Sequence, residues 1–327
     1  MPDKPNIVFL GADAICLPLL EYLWSVSGAE CELRAVVTQP DRPRGRGGRM
    51  GPNPVAAWAM ERDLTLLKPE KPGPELAQRL AAWETRVGIV MAYGHLLSKA
   101  LREAPVHGMV NFHASLLPKY RGPSPVEAAI AEGEKETGVC LMRVARAMDA
   151  GGVADYESVR IEYKDTSAAL RSKIAAACVP LLRRNFNDLL EGRLNFHEQE
   201  EGAATYCRKI RKEDGWIDFN QPAEVIRNRV RAFTPWPGAF FEWNGERVKA
   251  GDARVEAGET AVEAPGTVVA SKGELKVATT AGLIVFEALQ RPGGRMLPAA
   301  DFLRGRAIPV GAVLESRPAE SLVRSRP

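Results

Sequence analysis

Several features that mark metal, redox or membrane proteins are scarce in this sequence. No apolar run reaches eighteen residues, so no membrane-spanning helix is expected. The four histidines lie too far apart to form a helical metal-ligand pair, so no metal site is expected. The five cysteines show no CxxC spacing, which predicts reduced and mostly buried thiols: Cys16, Cys31, Cys140, Cys178 and Cys207.

The amino-terminal residues lack the features of a targeting signal. Residues 1–13 have neither the long apolar core of a signal peptide nor an amphipathic transit helix, so we expect a cytoplasmic location. Gly11 is not followed by the GxGxxG pattern that seats a dinucleotide. A nicotinamide cofactor is therefore not expected.

The chain has 327 residues, 45% of them hydrophobic and 26% charged, which suits two globular domains. In residues 1–192, apolar strand patterns such as NIVFLG and RVGIVMAY alternate with helical patterns. This alternation predicts an α/β domain, a Rossmann-like, doubly wound and mostly parallel sheet.

The second half of the chain has a different pattern. Residues 193–213 are polar and charged and are interpreted as a linker, and residues 317–327 as a flexible tail. Between them, residues 214–316 contain short strand patterns, two of them joined by a turn at Asn244 and Gly245. Short strands separated by regular turns predict a small β-barrel.

The most informative motif is NFHASLLPKYRG, residues 111–122. The apolar residues before it indicate a buried strand, so the side chains of Asn111, His113 and Ser115 should share one face. At the end of a strand in an open α/β sheet, an amide donor beside an imidazole base suggests a catalytic site.

A second candidate is Asp149 in the segment MDAGG, which follows the apolar run of residues 139–145. If its strand neighbours that of His113, the carboxylate can orient the imidazole and stabilise its charged form. Taken alone, an Asp before Gly151 and Gly152 is more often a turn residue.

Together these residues resemble the folate-dependent formyltransferase family. The pattern Asn-x-His-x-Ser-Leu-Leu-Pro, followed some thirty-odd residues later by an Asp before a Gly-rich turn, maps onto Asn111, His113, residues 115–118 and Asp149. Three further stretches, TQPDRPRGRGGRM, VMAYGHLL and RAFTPWPGAFF, resemble the branch of the family that formylates methionine carried by initiator tRNA. The first loop departs from the family, since residues 12–14 are Ala-Asp-Ala where Gly-Thr-Pro is usual.

The resemblance implies an activity and a set of roles. The substrates of the protein would be 10-formyltetrahydrofolate and methionyl initiator tRNA, whose α-amine would accept the formyl group. Asn111 would stabilise the oxyanion, His113 would move the amine proton, and Asp149 would orient His113. The resemblance also implies a second domain of the OB-like barrel type and a monomer.

The resemblance also implies two binding regions. The folate pocket would involve Val90, Met91, Ala92, Tyr93, Leu96, Ser115, Leu116, Leu117 and Pro118. Residues 115–118 can instead be a rigid connection between a strand and a loop. The tRNA contacts would involve Arg42, Arg44, Arg46, Arg49, Lys209 and Arg211.

The basic residues have an alternative interpretation as ordinary solvated surface groups. Residues 38–50 contain four arginines against one acid and three glycines, which predicts an exposed cationic loop after the second strand. Arg227 and Arg231, on one face of a helix, are further candidates for contacts with an RNA backbone.

Three other functions remain open at this point. The chain can be a formyltransferase for an amino sugar nucleotide, which would not need tRNA. It can be a non-catalytic RNA-binding protein on the same scaffold, although that leaves Asn111, His113 and Asp149 without a role. It can also be a folate hydrolase, which would release free formate without an amine acceptor.

Overall fold

The computed structural model describes residues 4–44, 48–256 and 263–325. The strands are β1 (Asn6–Gly11), β2 (Glu32–Val37), β3 (Arg42–Arg44), β4 (Arg49–Gly51), β5 (Leu66–Leu67), β6 (Thr85–Met91), β7 (Met109–His113), β8 (Glu136–Arg143), β9 (Val153–Arg160), β10 (Tyr206–Cys207), β11 (Ala239–Trp243), β12 (Glu246–Glu256), β13 (Val268–Ala270), β14 (Leu275–Ala278), β15 (Leu283–Gln290), β16 (Leu297–Pro298) and β17 (Val323–Arg324). The helices are α1 (Leu17–Val26), α2 (Pro54–Met60), α3 (Pro74–Ala82), α4 (Lys99–Glu103), α5 (Pro125–Ala131), α6 (Ser167–Leu190), α7 (Ala223–Ala232) and α8 (Ala299–Gly305).

The first domain is built on a seven-stranded sheet in the order β5-β2-β1-β6-β7-β8-β9. The strands from β5 to β7 in this order run parallel, whereas β8 is antiparallel to β7 and β9 is antiparallel to β8. The prediction of a mostly parallel sheet is therefore confirmed, with the reversal of direction falling between β7 and β8.

Side chains of β1 show why the sheet is covered on both faces. Ile7 and Phe9 belong to one hydrophobic core, and Val8 and Leu10 belong to another. Consecutive strand residues point to opposite faces, so a strand that is apolar throughout can be buried only between two layers of helices. In the first core α1 and α6 cover one face, and in the second α3 and α4 cover the other.

Helices of this domain begin at prolines or at side chains that cap the free N–H groups of the first turn. A proline occupies the first or second position of α1, α2, α3 and α5, where its missing N–H costs no hydrogen bond. The side chains of Asn53, Ser98 and Thr166 accept a backbone N–H at the starts of α2, α4 and α6.

The second domain is an antiparallel β structure with its own core. Its strands follow the order β11-β12-β15-β14-β13, and β16 pairs with β15. The predicted turn at Asn244 and Gly245 joins β11 to β12, and both residues have positive φ, as a two-residue hairpin turn requires. Phe219, Phe241 and Phe286 pack together at the centre of this core. The predicted fold class is thus confirmed.

Residues of the segment predicted as a linker pair with residues of the predicted tail. Strand β10 of residues 193–213 pairs antiparallel with β17 of the tail, Cys207 lying opposite Val323. Leu322 has only 1% of its side chain exposed and packs in the first core. Burial of Leu322 and the packing and pairing of Val323 hold this part of the tail against the first domain.

Candidate active site

Asn111 and His113 lie on β7, the strand at which the sheet changes direction. They are two residues apart, so both side chains leave the same face of the sheet, as predicted. Asn111 is half-buried and His113 is buried. Pairing with a strand on each side fixes the backbone from which both side chains extend.

The His113 ring is held by a backbone carbonyl. Its Nε2 lies 3.0 Å from the carbonyl oxygen of Tyr120. A carbonyl can only accept, so Nε2 carries the hydrogen, and in the neutral ring Nδ1 is the free acceptor. Nδ1 lies 3.7 Å from Oδ2 of Asp149. Tyr120 therefore fixes the tautomer, and Nδ1 is the nitrogen available to take a proton.

Asp149 reaches this site by a route that differs from the expected one. The sequence suggested that the strand before Asp149 ends beside His113, but β8 is antiparallel to β7 and its last residue, Arg143, pairs with Val110. Residues 144–152 then fold back over the sheet and bring Asp149 to His113. The two residues do meet, but through the return of a loop.

The Asp149 carboxylate has a hydrogen bond of its own. The backbone N–H of Gly122 donates to Oδ2 at 2.8 Å. The 3.7 Å separation from His113 Nδ1 exceeds a hydrogen bond, so an attraction between the two groups depends on the ring being protonated. The predicted orienting role of Asp149 thus stays a prediction, whereas the observed orienting contact comes from Tyr120.

Three of the residues around the site have an uncommon backbone conformation. Ala92, Tyr120 and Asp149 have φ values of 46°, 61° and 51°. Residues other than glycine with positive φ cost free energy, on the order of 1–3 kcal/mol each, and such residues concentrate at functional sites. Here the conformation aims the Tyr120 carbonyl at His113.

Asn111, His113 and Asp149 line one cleft with a volume of about 480 Å³. One wall is the connection between β6 and α4, and the other is the loop of residues 144–149. Of the predicted folate residues, Val90, Ala92, Tyr93 and Leu96 line this cleft. Gly94, His95 and Leu97 line it as well, although the sequence reasoning left them out.

The other predicted folate residues are not among those that line the cleft. Met91 is buried towards the opposite side, where its carbonyl accepts a hydrogen bond from Cys16 Sγ. The Ser115 hydroxyl donates to the Lys119 carbonyl at 2.7 Å, and the Leu117 N–H lies 3.3 Å from Cys140 Sγ. Residues 115–118, including Leu116 and Pro118, are absent from the cleft lining, which favours the interpretation as a rigid connection.

The thiols near the site are in their neutral form. Burial raises the pKa of Cys140 to about 11 and that of Cys207 to about 12. All five cysteines are free and buried. Since the thiolate is the reactive form, none of these residues is suited to act as a nucleophile at neutral pH.

The predicted tRNA contacts lie on two separate elements. Strands β3 and β4 form a short hairpin where a loop without regular structure was expected. Arg42 and Arg49 are exposed on it, Arg44 lies in β3, and Arg46 falls outside the described residues. Lys209 and Arg211 are exposed on residues 193–213, which we call the interdomain segment. Arg211 Nη1 lies 3.6 Å from Glu320 Oε2.

Arg227 and Arg231 are not available to a nucleic acid, contrary to the prediction. Both side chains are buried, and they donate to carbonyls of the first domain at Tyr163, Glu162 and Asp165. They serve to join α7 to the connection before α6. A helical pattern of arginines does not distinguish a buried domain contact from a surface patch.

Two further features are absent from the described residues. No described helix is long and apolar enough to cross a membrane. Within the same residues, no group of three or more His, Cys, Asp or Glu side chains is arranged to hold a metal ion.

Comparisons with known proteins agree on one family. Residues 6–184 match the family model described as formyl transferase, and residues 209–307 match the model of the formyl transferase C-terminal domain. A methionyl-tRNA formyltransferase of Myxococcus xanthus is 39% identical over 95% of this chain and 98% of its own length. Another from Geobacillus thermodenitrificans is 38% identical over 92% of this chain and 94% of its own.

Solved structures with the same fold are more distant. The N-formyltransferase from Helicobacter canadensis, in complex with folinic acid and dTDP-3-aminofucose, superposes with a TM-score of 0.66 at 17% identity. The superposition covers 88% of this chain and 99% of that one. At this identity the likeness shows the fold alone.

Gly122 offers a test of the packing at this site. Its φ of +118° is unfavourable for any other residue, and an added Cβ would collide with the Cys207 carbonyl oxygen. We expect Gly122→Ala to lower the free energy of unfolding by about 1–3 kcal/mol, measured by urea denaturation. Gly202→Ala is the control, because no atom lies within 4 Å of its added Cβ. Equal stability of the two variants would contradict the packing described.

Proposed function

The chain belongs to the family of methionyl-tRNA formyltransferases, and from this membership we propose that it formylates the α-amine of methionyl initiator tRNA with 10-formyltetrahydrofolate as donor. The product would be N-formylmethionyl-tRNA for translation initiation. The observation that carries the proposal is the convergence of Asn111, His113 and Asp149 on one cleft.

The cleft suits a folate. Its volume of about 480 Å³ falls in the usual range for small-molecule sites. Its lining combines apolar side chains such as Ile15, Val126 and Met142 with polar ones that include Asn111, His113 and Asp149. When bound there, the donor would supply an activated formyl carbon to the attacking amine.

Each of the three polar residues has a distinct proposed role. Asn111 donates from its amide to the formyl oxygen as negative charge develops on it. His113 takes the amine proton at Nδ1, because Nε2 is already bonded to the Tyr120 carbonyl, and relays it to the folate nitrogen that leaves. Asp149, 3.7 Å from Nδ1, stabilises the ring while it is charged.

Two proposed contacts with tRNA follow from exposure and charge. The hairpin of β3 and β4 presents Arg42 and Arg49 to solvent, and the interdomain segment presents Lys209 and Arg211. Guanidinium and ammonium groups on separate elements can follow a phosphate backbone without reading its sequence. Arg44 and Arg46 belong to the same proposed set.

The experiment that tests the function measures labelled formyl transfer from 10-formyltetrahydrofolate. Methionyl initiator tRNA is the acceptor, and methionyl elongator tRNA, free methionine and an amino sugar nucleotide are the controls. Transfer confined to the charged initiator supports the proposal. Transfer to the amino sugar nucleotide alone, or free formate released without an acceptor, would replace it with one of the alternative functions.

Removal of the polar groups on β7 should affect turnover and spare binding. We expect Asn111→Ala and His113→Ala each to lower kcat by about 100- to 1000-fold, with tRNA affinity nearly unchanged. His197→Ala is the matched control, since that imidazole is exposed on the interdomain segment. Wild-type turnover in His113→Ala would refute the role given to this residue.

Neutral replacements in residues 42–46 should weaken tRNA binding more than folate binding. We expect Arg42→Gln, Arg44→Gln and Arg46→Gln to raise KM for tRNA more than KM for the donor, and each lost phosphate contact to reduce the salt dependence of tRNA binding by about one unit of slope. Arg160→Gln, at a side chain that is 82% exposed, is the control. Equal changes in both constants would argue against this contact.

A further inference from the structure

Residues 144–152 connect β8 to β9 and lie outside both strands, so their backbone groups need hydrogen-bond partners from elsewhere. The carbonyl oxygens of Asp149 and Gly151 both accept from Nε2 of Gln199, at 2.8 Å each. Gln199 belongs to the segment between the two domains, fifty residues after Asp149. One side-chain amide from that segment therefore holds the backbone on both sides of Ala150.

The amide of Gln199 is itself held in one orientation. Its Oε1 accepts from Nε of Arg121 at 3.0 Å, while both hydrogens of Nε2 go to the loop carbonyls. A guanidinium can only donate and a carbonyl can only accept, so a flipped amide would lose all three hydrogen bonds. The position of Gln199 is thus set by Arg121 on one side and by the loop on the other.

Arg121 is fixed by further contacts. Its side chain is only 1% exposed, and its two terminal nitrogens donate to the Glu201 carboxylate at 2.7 and 3.0 Å. Nη1 also donates to the Tyr206 hydroxyl at 3.0 Å. Bidentate pairs of this kind are geometrically specific. We refer to Arg121, Gln199, Glu201 and Tyr206 as the Arg121 cluster.

The same stretch of chain also holds the Asp149 side chain. Gly122, next to Arg121, donates its N–H to Asp149 Oδ2 at 2.8 Å. The Arg121 backbone is in turn bonded to the interdomain segment, to the Thr205 carbonyl and to the Cys207 N–H at 2.8 and 2.7 Å. Backbone and carboxylate of Asp149 are therefore both located by residues joined in one network.

We propose that Gln199, held by the Arg121 cluster, is a positioning residue for formyl transfer that acts through Asp149. This inference rests on the proposed function. Gln199 does not line the cleft, and its amide bonds to Asp149 through the backbone carbonyl rather than the carboxylate. Without its two donors, the Asp149 and Gly151 carbonyls lose this partner, and the Gly122 hydrogen bond must hold the carboxylate near His113 Nδ1 without that support.

The first test compares Gln199→Glu, which keeps the shape but removes the donors, with Gln199→Ala. A misplaced catalytic group can cost about 100-fold in rate, so we expect kcat to fall about 10- to 100-fold while KM for tRNA stays within about twofold. Glu198→Gln is the matched control, because its exposed side chain makes no hydrogen bond to the described residues. Wild-type kcat in both Gln199 variants would overturn the proposal.

The second test separates positioning from a general loss of structure. If Gln199 acts through Asp149, adding Gln199→Ala to Asp149→Asn should lower kcat by less than about twofold further, because the carboxylate it positions is already absent. A purely structural role predicts additive losses in the double variant. Additivity would therefore contradict the proposal even if Gln199→Ala alone were impaired.

A third measurement does not depend on activity. Hydrogen exchange of peptides from residues 144–152 should be faster in Gln199→Ala than in wild type or in Glu198→Gln. If wild-type protein failed to formylate tRNA, the proposed function would fail, and unchanged exchange in this loop would separately refute the contact as a restraint. Faster exchange confined to the loop supports it.

Discussion

The site depends on the reversal of strand direction between β7 and β8. Strand β7 lies inside the sheet, between the parallel β6 and the antiparallel β8, with Asn111 and His113 on one face. Because β8 runs the other way, the chain that leaves it starts beside Val110 and must return over that face before β9 begins. This return forms one wall of the cleft and brings in Asp149. A β8 parallel to β7 would end beside His113, and no such return would be needed.

A loop that returns over the sheet places polar groups where no strand can pair with them, so they need hydrogen bonds from elsewhere. Asp149 has positive φ, and its carbonyl and that of Gly151 accept from the Gln199 side chain. Gln199 donates to the Asp149 backbone carbonyl, and the Gly122 N–H donates to the Asp149 carboxylate. Polar groups left unpaired in such a position cost about 1–3 kcal/mol each. The segment between the domains is thus part of the first domain's architecture.

The sequence predicts the parts of this site that follow from local periodicity. A strand period of two places Asn111 and His113 together, and the apolar run before Asp149 identifies a strand correctly. It does not give the direction of that strand or the return of the loop that follows it. The contact of Tyr120 with His113 is made by a carbonyl, which leaves no signature in the identity of residue 120. Gln199 lies in a charged stretch that has the composition of a linker.

Burial explains the remaining differences. Leu322 anchors a tail whose composition indicates disorder, and Arg227 is buried although its spacing suits a surface. Both outcomes depend on contacts between residues far apart in the chain, 64 residues apart for Arg227 and Tyr163. Family resemblance compensates for such gaps only where a motif is shared, as it is for the three polar residues of the cleft.

A crystal structure of the protein with 5-formyltetrahydrofolate would test the central claim most directly. The account predicts the pterin against the connection between β6 and α4, with the formyl oxygen within about 3.2 Å of the Asn111 amide and the formyl carbon facing His113 Nδ1. A folate bound elsewhere, for example in the separate cavity beside His107 and Arg143, would contradict it. So would a formyl group directed away from His113.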